Sequence, residues 1–289
     1  MATLSCRERR FELELAPRLE HQYWYYLLVL RNLLQRLGRE HTLTLWKDVF
    51  RAYNDALLEE ILSWGWEQSE ENQREGFEES LSEALTDLFP SPVEGVSSEE
   101  AGELVDSAPP FRQIRQKFPT PNLKRRSTTY EALHLGRDGL ARLAEALIDR
   151  YGKQGEFLYY DAMLEELAQG EQRTVPVQDF MSNRRARFGT KLEELDIFSA
   201  GLEVELIRAS DAEVVTRVTE CEWARYYQER HPRVGYLLAC CLDNAVYRSL
   251  NPRLRLQRTS TLMEGGPACD FRVYALEQAP DDPDVESST

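Results

Sequence analysis

LEVELIRASDAEVVTRVTEC, residues 202–221, is where the chain changes period. Leu202, Val204 and Leu206 alternate with charged residues, Ser210 and Asp211 supply a turn, and Val214, Val215 and Val218 resume the apolar pattern. Period-two alternation on both sides of a polar turn predicts a β-hairpin. Downstream, Glu222 to Glu229 and Val234 to Leu250 read as helices. Leu254 to Leu262 and Ala268 to Leu276 read as strands joined across Glu264, Gly265, Gly266 and Pro267. Hairpin, helices, hairpin is an antiparallel pattern, so the fold class expected is α+β: an N-terminal helical region followed by a domain of helices and antiparallel sheet.

Upstream of the hairpin the period is helical. Leu19 to Leu37 contains no Gly or Pro and stops at Gly38, a residue suited to a helix C-terminus. From about Thr44, Trp46, Phe50, Tyr53, Leu57 and Ile61 recur at three- and four-residue spacing. Glu67 to Asp87 is acidic, with Phe77, Leu81, Leu85 and Leu88 at helical spacing. Between Phe89 and Thr128 the periodicity fails among prolines, and the second half of that stretch is basic. It suits either an internal match for the acidic helix or a surface for an anionic partner. Thr128 and Thr129 then precede a helix ending at Gly152, another spans Glu156 to Leu167, and a third lies around Asp179 to Phe198. The expected organisation is a helical N-terminal region over 1–88, a Pro-rich linker over 89–127, an α+β domain over 128–276 and a disordered acidic tail over 277–289.

Composition limits the classes of function. The chain has 289 residues, 35 basic against 50 acidic, for a net charge of −15. Nucleic-acid backbones are bound through Lys and Arg, and a negative field repels them; the same field disfavours anionic membrane surfaces. The longest apolar run, Tyr23 to Leu30, has eight residues, short of the roughly 18–20 that a membrane span needs. The first fifteen residues carry charges where a signal peptide would be apolar. A cytoplasmic protein acting on a small molecule, with no nucleic-acid or membrane partner, is expected. A homo-oligomer is compatible with the pattern. No GxGxxG or GxxxxGK[ST] occurs, so no nucleotide cofactor is expected.

Five cysteines are present, Cys6, Cys221, Cys240, Cys241 and Cys269, an odd number that argues for reduced thiols. Four fall in the last quarter of the chain, in the order of a Cys ending a strand, Cys-Cys-Leu-Asp on a helix, Asn-Pro, Arg-Thr-Ser-Thr-Leu, a Gly pair and Cys-Asp-Phe. From about Thr128 to Tyr274 this order resembles the L-2-amino-thiazoline-4-carboxylate hydrolase family. The resemblance places the family's cysteine positions at Cys221, at Cys240 or Cys241, and at Cys269, its acidic position at Asp243, and its strand and turn signature on Thr259, Thr261, Gly265 and Phe271. It implies opening of a cyclic C–N bond in a small heterocycle. The close Gly-Gly-Pro-Ala-Cys-Asp-Phe also resembles vinyl-reductase-like ligand-binding domains, which implies a sensor or assembly module without catalysis; a relative retooled for another reaction is a third reading.

The residues themselves suit thiol chemistry. A thiolate is a strong nucleophile whose pKa falls near a cation or a helix N-terminus, and Cys221 stands at a strand-to-helix junction. On one continuous helix Cys240 would share a face with Asp243 while Cys241 would not. The expected catalytic set is Cys269, Cys240, Asp243 and Cys221. The expected substrate-binding set is Arg258, Thr259, Thr261, Gly265 and His231. Against each stands a plainer reading. A lone buried Cys is a small hydrophobe, His231 before Pro232 suits an exposed loop, and Arg258 suits a cross-strand ion pair as well as a substrate carboxylate. Zinc held by Cys221, Cys240 or Cys241, Cys269 and His231 is a minor alternative to no cofactor, because tight Cys-x₂₋₄-Cys spacing is missing. In the N-terminal part His41, Trp46, Asp48, Tyr53 and Asn54 are weaker pocket candidates.

Overall fold

The computed structural model describes residues 5–14, 123–169, 175–187 and 200–277, with 29, 32–38, 40–42, 44, 45, 48, 67 and 68. Mixed helices and antiparallel sheets make it α+β, as the change of period predicts. The chain divides into two units, one of residues 10–162 and one of residues 1–9 with 163–289.

In the first unit, strand β1 (Phe11–Glu14), strand β2 (Glu67–Gln68) and strand β3 (Leu123–Ser127) form an antiparallel sheet in the order β1-β3-β2. Neither outer strand is evident from periodicity, and β3 lies within the basic half of the stretch read as linker. Charge explains the pairing: Lys124 Nζ reaches Glu12 and Glu14 at 3.1 and 2.9 Å. Helix α1 (Thr129–Tyr151) comes next, its start set by a capping box between Thr128 and Glu131 and its end by Gly152 at φ 58°. Residues 32–37 are helical and end at Gly38, φ 75°, as expected. His41, expected in a loop, is helical and exposed, as is Asp48. Trp46, Tyr53, Asn54, the acidic stretch beyond Gln68 and most of the linker lie outside the described residues. Helix α2 (Lys153–Gln169) runs longer than the expected 156–167, and the boundary between the units falls within it.

In the second unit, helix α3 (Val177–Arg187) covers the first part of the helix expected around Asp179 to Phe198, and residues 188–199 lie outside the described set. Strands β4 (Leu202–Ala209) and β5 (Glu213–Cys221) form the predicted hairpin. Helices α4 (Glu222–Arg230), α5 (Gly235–Ala239) and α6 (Asp243–Leu250) lead to strand β6 (Leu254–Gln257), a 3₁₀ turn (Leu262–Glu264) and strand β7 (Cys269–Ala275). The sheet order is β4-β5-β7-β6, antiparallel throughout. Val214, Thr216 and Val218 of β5 oppose Val273, Phe271 and Cys269 of β7, so these six share one face. At one end of that face Met181, Val214, Leu254 and Val273 form a core, with Phe180, Tyr247 and Leu250 packed on it. Cys269 lies at the other end.

Two expectations about this unit are corrected. Val234 to Leu250 is not one helix: Cys240 caps α5, and Cys240 to Leu242 form a turn before α6. Arg258 to Leu262 is not strand, because β6 stops at Gln257 and the Asp270 side chain of β7 holds the backbone of Thr259 and Ser260 beyond it. The tail from 278 lies outside the described residues.

Candidate active site

Cys221 closes β5 and caps α4, its Sγ accepting the Ala224 N–H at 3.4 Å. The predicted strand-to-helix junction therefore turns the sulfur toward helix amides. Cys269 opens β7 and is buried, and its Sγ accepts the Leu262 N–H at 3.1 Å from the first residue of the 3₁₀ turn. Cys240 is within electrostatic reach of Cys221, Cys269, Asp243 and Arg258. Cys241 donates instead to the Leu237 carbonyl at 2.8 Å, back along α5. The two thiols are thus separated by the turn at 240–242 and not, as expected, by the faces of one continuous helix.

Asp243 is the first residue of α6, whose face carries Asp243, Tyr247 and Leu250 at i, i+4 and i+7. Packing of Tyr247 and Leu250 on the core fixes where that carboxylate stands. Arg258 reaches it from the end of β6: Nη1 donates to Asp243 Oδ2 at 2.5 Å and Nη2 to the Cys240 carbonyl at 2.9 Å. The guanidinium lies over Phe271 at 5.2 Å and Tyr236 at 5.9 Å from the ring centroids. It is an ion pair, but to the start of a helix rather than across strands. Tyr236 had no sequence signal, because an aromatic in a short helix reads as core.

The charge states follow from this packing. Burial pushes the Cys221 thiol up to about 11 and the Cys240 thiol further, with Asp243 adding to the second. Cys241 is pushed up to about 12 by burial and Asp243. Cys269 is also raised by burial, but the Leu262 amide and Arg258 pull it back. Asp243 is raised by burial against the pull of Arg258. Burial works against the Arg258 charge, yet Asp243 and Cys240 hold its pKa above the usual arginine value. The group at rest is thus a set of neutral thiols around one neutralised pair.

Thr259 donates its N–H and hydroxyl to Asp270 at 2.9 and 2.5 Å. Thr261 is buried and caps the 3₁₀ turn, its hydroxyl donating to Glu264 Oε2 at 2.7 Å and accepting the Glu264 N–H at 3.1 Å. Gly265 ends that turn at φ 82°, a left-handed conformation that favours glycine. At Gly266 a Cβ would meet the Thr261 carbonyl oxygen at 2.8 Å, so the chain folds tightly on itself just before Cys269. These residues shape the site through the backbone. His231, read as an exposed loop residue, is buried at the α4–α5 corner, its ring 6.1 Å from that of Tyr226. Burial comes from its place as the cap of α4, where its carbonyl accepts the Val234 and Gly235 amides.

Cys240 and Cys269 thus lie within electrostatic reach of Asp243, Arg258 and Cys221; Cys241 also feels Asp243 and Arg258 but bonds back along α5, and the described ring contact of His231 lies at the α4–α5 corner. Among the described residues no three His, Cys, Asp or Glu side chains are arranged to hold a metal ion, so the set weighed for zinc does not converge as one. Nor is any helix among them long and apolar enough to cross a membrane. No curated protein and no solved structure matches the chain. Residues 131–273, from the first turn of α1 to β7 and across all five site residues, match the family described as L-2-amino-thiazoline-4-carboxylic acid hydrolase. Over that segment the chain belongs to the L-2-amino-thiazoline-4-carboxylic acid hydrolase family.

Proposed function

We propose that this chain hydrolyses a C–N bond in a small heterocycle, with Cys269 as nucleophile and Asp243 as proton carrier. The observation that carries the reading is the setting of Cys269 Sγ, held at 3.1 Å by the Leu262 amide and within electrostatic reach of Arg258 and Asp243. A thiol attacks as thiolate, and a neutral buried thiol needs a base at the moment of attack. Asp243 suits that task because burial raises its pKa toward the working range of a general base.

In this scheme the Cys269 proton passes to Asp243 as the sulfur bonds to the amidine-like ring carbon. The adduct collapses with cleavage of the ring C–N bond, and the leaving nitrogen takes the proton from Asp243. Water then adds to the sulfur-bound carbon and displaces the thiol, restoring Cys269. Arg258 orients Asp243 and the Cys240 turn, since both ends of its fork are already engaged within the chain. Cys240 and Cys221 form the neutral wall beside the reacting carbon, and Thr259, Thr261 and Gly265 shape the turn that carries the Leu262 amide.

The test is turnover of 2-amino-thiazoline-4-carboxylate and related cyclic amidines by single Cys→Ser variants. Cys269→Ser is expected to lose more than roughly 100-fold in kcat, the scale of removing an activated nucleophile, with Cys241→Ser close to the parent. Full activity in Cys269→Ser would overturn the assignment. A second reading, a ligand-binding module without catalysis, draws on the strongly raised Cys221 and Cys240 thiols, which suit an apolar lining. A ligand retained in native mass spectrometry, with no turnover of any heterocycle, would decide for it.

A further inference from the structure

Asp270 is next after Cys269 in β7, so its side chain leaves the opposite face of the strand. Its Oδ1 accepts the N–H groups of Thr259 and Ser260 at 2.9 and 2.6 Å, and its Oδ2 accepts the Thr259 hydroxyl at 2.5 Å. Two further bonds close the same corner: the Asp270 N–H donates to the Ser260 carbonyl at 3.3 Å, and Ser260 Oγ donates to the Ala268 carbonyl at 2.8 Å. The segment so gripped begins with Arg258, which holds Asp243 and the Cys240 carbonyl. It ends with Leu262, whose amide holds Cys269 Sγ.

We propose that Asp270 is a positioning residue of the thiol site: by clasping Thr259 and Ser260 it holds the Arg258 guanidinium and the Leu262 amide in register with Cys269. The importance of Cys269 rests on the function proposed above, whereas the clasp rests on the hydrogen bonds alone. Burial works against the Asp270 charge, but the Thr259 hydroxyl and the two amides hold its carboxyl below the usual range, so it stays ionised at neutral pH.

The sign of one effect separates positioning from mere proximity. The negative charge of Asp270 itself pushes the Cys269 thiol up, while the Leu262 amide and Arg258 pull it down. If Asp270 acted only through space, Asp270→Asn would lower the Cys269 pKa. If Asp270 positions the segment, loss of the clasp withdraws the amide and the guanidinium, and the pKa rises. A role in stability alone would lower the melting temperature and leave the thiol titration unmoved.

The experiment is iodoacetamide alkylation of the full chain from pH 7 to 10, with Cys269 followed by peptide mass spectrometry and the midpoint of its rate profile as the readout. For Asp270→Asn the midpoint is expected to rise by about half a unit to one unit, or roughly threefold to tenfold less thiolate at pH 8. An unchanged or lowered midpoint in the folded variant would overturn the proposal. Should Asp270→Asn fail to fold, Thr259→Val removes only the hydroxyl bond. A smaller rise there would support the clasp, and an unchanged or lowered midpoint would overturn it. Alkylation needs no substrate, so failure to turn over any heterocycle would sink the proposed function and leave this result standing.

Discussion

Glu222 ties the stability of its surroundings to pH through one buried carboxyl. It is the first residue of α4, almost fully buried, with Oε1 3.0 Å from Arg225 Nη1 and Oε2 buried without a hydrogen-bond partner among the described residues. Burial raises its pKa, and Arg225 and Arg7 pull it back only in part. A carboxyl whose folded pKa is raised stabilises the fold when protonated. That contribution is complete below the unfolded value near 4.5 and is lost as pH rises through the folded value. At neutral pH the buried charge is a net cost. Glu222→Gln is therefore expected to be more stable than the parent at pH 7.5, by up to about 1 kcal/mol, with the gap closing as the pH falls toward 4.5. Urea midpoints of the two chains at pH 7.5 and 5 measure it; equal midpoints at 7.5 would contradict the argument.

Among the elements, those legible in the sequence are the ones whose signal is local. Thr128, Glu131 and Gly152 bracket α1, and the period-two run of 202–221 gives the β4–β5 hairpin with Ser210 at its turn. Removing the capping box by Thr128→Ala is expected to cost about 1 kcal/mol, read as a lowered melting temperature; an unchanged one would show that packing of α1 alone sets its start. The break between α5 and α6 is not legible, because Cys240, Cys241 and Leu242 are apolar residues with no Gly or Pro to announce a turn. Strand β1 is hidden because its partner, β3, stands more than a hundred residues away, and its pairing is set by Lys124 with Glu12 and Glu14. In the proposed site, Cys221, Cys269 and Asp243 are marked by residue type and order. Asp270 is not, because an Asp in a strand gives no hint that its partners lie at 259 and 260.

At the scale of the whole molecule, the first residues belong with the last part of the chain. Cys6 is fully buried, with its Sγ 3.6 Å from Glu220 Oε2, and burial with Glu222 and Glu220 pushes its thiol up to about 12. Glu203 and Glu220 face each other across β4 and β5, a like-charge pair that is unfavourable by itself. Arg9 answers it: Nη2 pairs with Glu203 at 2.6 Å, and Nη1 donates to the Leu202 carbonyl at 2.8 Å. Arg7 lies 3.5 Å from Glu220. Arg9→Ala is expected to destabilise the unit by roughly 1–3 kcal/mol, the range for hydrogen bonds to a charged group that leave a partner unmet. Chemical denaturation of the variant tests this, and an unshifted midpoint would mean that solvent replaces the arginine at no cost.

That N-terminal arm also sets an order of events during synthesis. Its partners Leu202, Glu203 and Glu220 lie 193, 194 and 214 residues further along the chain. At about 5–20 residues per second on the ribosome, the arm waits roughly 10–40 s for its surface to emerge. Throughout that wait a cysteine and two arginines destined for burial and pairing stand open to solvent, so this segment is made long before it can find its place.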